Sequence, residues 1–275
     1  MILIMRLSTQ AQQKLSLQLS TSNSLDQGLD EIHMIAEEYA EKTTSPEFLK
    51  EVRRFFLANN NRKFFSKDMP ASDFLKVDSA MTEKVIKLAI DRHKNEFRDS
   101  GFPYMAHVLS AGFLLARLGF SKEIVYSAIL HDSFEDSGDK NKILNELHAI
   151  SPAVAWYVYS VSGTDTRDAV EKDLILLEKI NQFSELSGSV FPKAIKCADG
   201  IANLYDVEFM QSRDGRNAQE RRLRFINQTE NEVLPFAREV DTAGVIRVKN
   251  KGEVFSLEEY AKDTIDFKLS LIQGG

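Results

Sequence analysis

Residues 130–138 read Leu-His-Asp-Ser-Phe-Glu-Asp-Ser-Gly. They set His131, Asp132, Glu135 and Asp136 at the end of the apolar run that starts at Ile124. The run predicts a buried helix, N-capped by Ser121, continuing through the motif and closed by Gly138. On such a helix His131 and Glu135 share one face, and Asp132 and Asp136 share the next. Ionised groups on an apolar helix are costly to bury unless paired or bound to metal. Three acids and one histidine cannot neutralise one another at pH 7. A divalent cation removes that cost.

An ion needs further ligands from other elements. His107 opens a helix just after Gly-Phe-Pro-Tyr-Met-Ala, and the small residues Ala111 and Gly112, a turn further on, are expected to leave it room. Asp199 interrupts an apolar stripe of Ile195, Ala198, Ile201, Ala202 and Leu204, and Asn203 shares its face. His107, His131, Asp132 and Asp199 therefore form a candidate ligand set of two imidazoles and two carboxylates. Mixed N/O donors suit Mn²⁺, with Fe²⁺ or Zn²⁺ as alternatives, better than they suit thiolate-seeking metals. One ion per chain is expected. It would acidify a water and polarise a phosphoryl oxygen. That leaves Glu135 and Asp136 for catalytic proton handling.

The elements that must position these residues read as helices. Apolar spacing predicts them over about 25–42, from Pro46, from Met81, over 104–118, across 140–160, 168–182, 189–208 and 217–239, and from Ser256 with a Ser256/Glu259 capping box. The stretch Gly-Val-Ile-Arg-Val-Lys-Asn-Lys-Gly-Glu-Val-Phe, 244–255, reads as a β-hairpin. The expected fold class is all-α, a helical bundle with a small β-hairpin near the C-terminus. The expected organisation is a helical extension over 1–78, a catalytic domain over 79–240, and a hairpin and helix over 241–275 packed on that domain.

The chain has 275 residues, 43% apolar and 28% charged, with 13 glycines and 6 prolines. A net charge of −6 disfavours a nucleic-acid polymer as partner but permits a small nucleotide in a local basic pocket. The single cysteine, Cys197, excludes an intrachain disulfide framework. No signal-peptide core or run of about 18 apolar residues is present, so a cytoplasmic location without membrane contact is expected. Oligomeric state is not legible.

Three segments in order, Arg-Asp-Ser-Gly-Phe-Pro-Tyr-Met-Ala-His (98–107), Ala-Ile-Leu-His-Asp-Ser-Phe-Glu-Asp (128–136) and Ile-Lys-Cys-Ala-Asp-Gly-Ile-Ala-Asn-Leu (195–204), carry a family resemblance. An adjacent His-Asp, an upstream His and a distant Asp resemble the HD phosphohydrolases. The surrounding residues resemble the hydrolase domain of RelA/SpoT-type enzymes of the stringent response, in particular the small stand-alone (p)ppGpp hydrolases. The resemblance covers roughly residues 80–240. It implies an HD-domain bundle that hydrolyses the 3′-pyrophosphate of alarmone nucleotides, (p)ppGpp or an adenosine analogue, with Mn²⁺. The products would be pyrophosphate and the nucleoside 5′-di- or triphosphate.

Carried over, it makes His107, His131, Asp132 and Asp199 the metal ligands, Glu135 and Asp136 the catalytic acids, and Arg98 and Asn203 the substrate contacts. The chain departs from the pattern at Asp99, where the family usually has Lys, at Val108, where it has Pro, and at Gly200 and Tyr205, where basic residues are common. Charge-assisted contacts to phosphate are worth about 1.5–3 kcal/mol, so base identity is the less constrained inference. Two other classes fit the residues: an HD phosphatase or nucleotidase acting on another 3′-phosphorylated nucleotide, and a non-catalytic nucleotide-binding partner. Outside the motifs, His33 and His148 read as surface or packing residues, and His93 as a structural hydrogen-bonding residue. Lys172 and the Glu-Arg-Arg-Leu-Arg run at 220–224 read as solvated helix faces.

Overall fold

The computed structural model describes residues 24–59, 80–135, 137–163, 169–213, 215–246, 248–250 and 253–273. The expected boundary at 78 and the acid Asp136 lie outside these residues. Helices run in the order α1 (Ser24–Glu38), α2 (Pro46–Asn59), α3 (Ala80–His93), α4 (Tyr104–Arg117), α5 (Lys122–Ile129) and α6 (Lys140–His148). They continue as α7 (Pro152–Val161), α8 (Ala169–Ser187), α9 (Phe191–Tyr205), α10 (Ala218–Gln228), α11 (Leu234–Thr242) and α12 (Leu257–Gln273).

The layout centres on α4. Ten of the eleven residues from Met105 to Leu115 other than His107 are apolar or small and all are buried, so the helix has no solvent face. A helix that is apolar all round must be surrounded, and α1, α5 and α9 pack on it. Gly28 of α1 lets the Phe113 ring lie directly on its backbone. Leu25, Leu29, Phe48, Val52 and Phe55 share one core with Leu109, Ile129, Ile195 and Val240, so the N-terminal helices and the motif-bearing helices bury each other.

Caps mark several helix starts. Asp139 accepts from the Lys142 amide and Asn217 from the Glu220 amide, satisfying first-turn N–H groups that have no partner within the helix. Between α10 and α11 the chain widens into a π turn, Thr229–Val233. Pro235 follows, and a proline inside a helix lacks the N–H for an i→i−4 bond and clashes with the carbonyl four residues back.

The expected hairpin requires correction. Val245 and Ile246 are not strand residues: Ile246 is buried in the helical core, and Val245 packs against it. Among the described residues Lys249–Asn250 and Glu253–Val254 pair as strand, antiparallel and two residues a side, and the Phe255 amide donates to Val248 O at 2.8 Å just beyond them. Val254 is 60% exposed, and two residues a side are too few to make an independent hairpin. The bundle is helical. Asp241 takes over the capping of α12, accepting from the Leu257 and Glu258 amides at 2.9 and 3.0 Å, while the Glu259 amide donates to Ser256 Oγ as the capping box expects.

Candidate functional site

The helix carrying the central motif ends sooner than its sequence suggests. α5 stops at Ile129 with Leu130 as C-cap, and residues 131–135 form turns. His131 and Asp132 are therefore not brought together with Glu135 by helical stripes. His131 Nδ1 donates to Ala128 O at 2.8 Å and closes the last turn of α5 with its own ring. That bond fixes the tautomer and turns Nε2 inward.

Four donor atoms converge there. His131 Nε2 lies 3.1 Å from Asp132 Oδ2, 3.4 Å from Asp199 Oδ1 and 3.3 Å from His107 Nε2. His107 Nε2 lies 3.4 Å from Asp199 Oδ1 and 3.6 Å from Asp132 Oδ2. His107, His131 and Asp199 offer atoms all within 4.8 Å of one another. The residues come from the start of α4, the end of α5 and the middle of α9. Both histidines are buried, and Asp132 is the most open of the four at 21%.

The donor set fits a divalent ion. Two imidazole nitrogens face each other across a gap that can hold at most one proton, with two carboxylate oxygens beside them. Burial alone would lower the His131 pKa, yet Asp132 and Asp199 raise it well above its ordinary value. Burial would raise both carboxyl groups, yet His131 holds Asp132, and Lys196 with the two histidines holds Asp199, well below the carboxylate range. A bound cation would take the place of a proton between the imidazoles.

Supporting groups aim the ligands. Tyr104, one turn before His107, donates its hydroxyl to Asp132 Oδ2 at 2.7 Å and stacks on His93, whose Nδ1 meets Glu96. Lys196, one turn before Asp199, donates to Asp199 Oδ2 at 2.9 Å. Asn203 donates to Asp199 Oδ1 at 2.7 Å. The spacing of Tyr104 and Lys196, each three residues before a candidate ligand, is the pattern that could have marked both.

The remaining candidates are placed less directly. The Arg98 guanidinium bonds both oxygens of the buried Asp206, at 2.8 and 3.1 Å, and Asn203 Oδ1 at 3.0 Å. It is 10% exposed. Arg98 thus ties the loop before α4 to the end of α9. Asp206, which carries no motif signal, holds it. Glu135 is engaged by Lys172 and accepts from the Gly163 amide at 2.8 Å, so Lys172 is an ion-pair partner and not a solvated lysine. Gly112 makes way for Ile129 of α5, not for an ion.

The four departures are also accounted for. Val108 is core. At Gly200 a Cβ would meet Val233 of the π turn, so no long side chain fits. Tyr205 reaches Asp30 of α1, and Asp99 holds Arg213 and Arg221. Cys197 is buried and its thiol pKa is pushed up by burial, in keeping with a core residue. Among the described residues no helix is long and apolar enough to cross a membrane.

No protein-family model matches the chain. Similarity to individual proteins is partial. The chain is 24% identical over 162 residues to the GTP pyrophosphokinase rsh of Brucella melitensis, covering 58% of this chain and 20% of that protein. It is 25% identical over 173 residues to a probable GTP pyrophosphokinase of Mycobacterium leprae, covering 62% and 20%. It is 36% identical over 63 residues to the bifunctional (p)ppGpp synthase/hydrolase RelA of Mycobacterium tuberculosis, covering 23% and 8%. The chain matches a fifth or less of each relative's length. It is a distant and partial homologue of RelA/Rsh proteins, over 58–62% of its length to the GTP pyrophosphokinases and over 23% to the (p)ppGpp synthase/hydrolase.

Proposed function

We propose that this protein is an HD-type phosphohydrolase that removes the 3′-pyrophosphate of an alarmone nucleotide, (p)ppGpp or its adenosine analogue. One observation carries the reading: the Nε2 atoms of His107 and His131 lie 3.3 Å apart, and each lies 3.1–3.6 Å from a carboxylate oxygen of Asp132 and of Asp199, with the four residues drawn from three separate segments. The partial homology to (p)ppGpp enzymes supports the substrate class.

These four residues would hold one divalent ion, Mn²⁺ by the resemblance. Bound there, it would supply Lewis-acid polarisation of a phosphoryl oxygen and acidify a water. The chain supplies the rest. Lys196 and Asn203 hold Asp199, and Tyr104 holds Asp132, so the ligands meet the ion without first reorganising. Water attacks the phosphorus on the 3′ oxygen, the P–O3′ bond breaks, and the 3′ oxygen takes up a proton. Glu135 is the described acid assigned to proton handling. Lys172 and the Gly163 amide fix the position of its carboxylate. Arg98 acts through Asn203 and Asp206, positioning the loop on which a nucleotide would lie.

The test is incubation with ppGpp, pppGpp and ppApp plus Mn²⁺, with products identified. Pyrophosphate together with a nucleoside 5′-di- or triphosphate is expected. Orthophosphate as the product would make the protein a phosphatase, and tight nucleotide binding without product over hours would make it a non-catalytic partner. Glu135→Gln is expected to keep Mn²⁺ and lose turnover.

A further inference from the structure

Beside the loop that carries Arg98, four arginines line one cavity of about 270 Å³. Arg213, Arg216, Arg221 and Arg224 form its walls with Asp99 and Phe225. Residues 211–224 carry five arginines against two acids in a chain whose net charge is −6. Such a local surplus needs a physical account, because guanidinium groups gathered in one concavity repel one another.

The gathering is built. Arg213 and Arg216 exchange backbone hydrogen bonds, each amide donating to the other's carbonyl at 3.1 Å. Gly215 between them sits at φ +75°, where glycine is at ease. This turn sets the two arginines on neighbouring positions of a tight reverse. Arg221 is held from two sides: its Nη1 donates to Gln211 O at 2.7 Å, and its Nη2 reaches Asp99. It is 13% exposed. Arg222 locks the start of the same loop by donating to Met210 O at 2.9 and 3.2 Å. Asp99, whose backbone carbonyl accepts from the Gln211 amide, also takes Arg213 at 2.5 Å.

Asp99, the one carboxylate among the described lining residues, thus serves two arginines. Among the described residues Arg224 is paired only loosely, with Asp173 at 3.7 Å, and is 45% exposed. Fixed forks of planar N–H donors around a polar cavity match the tetrahedral oxygens of phosphate.

We propose that this cavity is a phosphate-binding site, distinct from the histidine–aspartate centre, that takes a phosphate or pyrophosphate group of a soluble anion. The proposal goes beyond the hydrolase reading and does not depend on it. Asp99 acts as the internal counter-ion that keeps Arg213 and Arg221 aimed, and Arg216 and Arg224 supply the charge that the anion answers. The group could belong to the 5′-diphosphate of a nucleotide or to free pyrophosphate.

The test is calorimetric titration of the full chain with inorganic pyrophosphate at low ionic strength, with EDTA present so that metal-bound pyrophosphate cannot contribute. Saturable binding is expected, weakening as salt rises. Arg216→Gln combined with Arg224→Gln should weaken binding about tenfold, since two charge-assisted bonds are lost. His131→Ala should leave it unchanged. Asp99→Asn keeps an oxygen that can accept from the arginines but removes the carboxylate charge from the cavity, and should tighten binding severalfold, a result a misfolded variant could not give.

A parallel titration with GDP separates the sources: tighter binding than pyrophosphate assigns the cavity to a nucleotide's 5′-phosphates, and equal or weaker binding assigns it to the free anion. The proposal is overturned if wild type shows no saturable binding, if the double arginine variant binds as wild type does, or if His131→Ala abolishes the signal. Turnover assays on the same variants report the hydrolase reading separately.

Discussion

Two regions of this molecule bury histidine together with aspartate, and they do different things. At the ends of α4 and α5, His107 and His131 turn their Nε2 atoms toward each other and toward two carboxylate oxygens. Under α1, His33 is equally buried, but its ring lies flat on Tyr205, centroids 4.0 Å apart, with Phe102 at its edge. Neither ring nitrogen has a hydrogen-bond partner among the described residues. Its neighbour Asp30 meets the Tyr205 hydroxyl instead, and Lys268 nearby is taken by Glu208 and the Tyr205 carbonyl. The first arrangement converges lone pairs on a point. The second spends its polar groups pairwise and uses the imidazole as an aromatic plate. Residue type and burial are alike, and the aim of the donor atoms separates a ligand site from a packing site.

Arg98 joins the two. It bonds Asn203, which bonds Asp199 of the first region, and Asp206, whose charge acts on His33.

The comparison breaks most visibly at the ligands. His131→Ala should abolish Mn²⁺ binding and lower turnover by at least about 100-fold, since even outer partners of metal ligands cost 10–100-fold. His33→Phe should leave the Mn²⁺ affinity measured by calorimetry where it was. If His33→Phe lost the ion and His131→Ala kept it, the two regions would have been assigned the wrong way round.

Next comes the link. Arg98→Met leaves Asp206 buried and ionised without its guanidinium, a loss of about 3–5 kcal/mol. Burial alone would raise the Asp206 pKa, but Arg98 holds it low, so the penalty applies at neutral pH. Urea unfolding at pH 7 reads it. A stable Arg98→Met protein with only a raised KM would make Arg98 a substrate contact and not a brace.

Tyr104→Phe removes the hydroxyl from Asp132 while keeping the ring on His93. Mn²⁺ affinity should fall about 10–100-fold with little change in unfolding. The matching change in the other region, Tyr205→Phe, should do the reverse: about 1–3 kcal/mol of stability lost from the unsatisfied Asp30, and unaltered Mn²⁺ affinity.

The smallest effect is in pH dependence. Burial, reinforced by Asp26, raises the Asp30 pKa to about 7, while Lys268 opposes it. The folded state therefore holds a proton that the unfolded chain releases near pH 4, and stability from this group falls as pH rises from 4 to 7. Burial lowers the His33 pKa to about 3, against the pull of Asp206. The unfolded chain then binds a proton that the folded state refuses, and stability from this group rises from pH 3 to 6.5. Between 4 and 6.5 the slopes oppose each other, each at most about 1.4 kcal/mol per pH unit. Asp30→Asn should leave urea midpoints rising over that window, and His33→Phe should leave them falling. Flat profiles in both variants would remove this coupling.

Much of this was legible in the chain. The helices followed from 3.6-residue spacing, because a helix buried on one face must repeat its apolar residues. The two imidazoles and two carboxylates could be picked out because each interrupts or ends an apolar run. His93 read as a structural hydrogen-bonding residue, and its Nδ1 meets Glu96.

Other features depended on partners far along the chain. The end of α5 at Ile129 follows from His131 capping its own helix, which spacing cannot announce. Val245 and Ile246 look like strand residues, since β-branched residues suit strands, yet they cover helices. His33 looked like a packing or surface residue, but the company of Asp30, Tyr205 and Lys268 comes from α1, α9 and α12 together.

The sequence by itself determined which residues are buried along each helix and which of them carry donor atoms, because periodicity and side-chain chemistry are local properties. Only the tertiary structure decided where those donors aim: Asp132 and Asp199 at the facing imidazoles of His107 and His131, Arg98 at Asp206, four arginines into one cavity. Direction depends on the crossing of helices distant in sequence, and no local pattern records it.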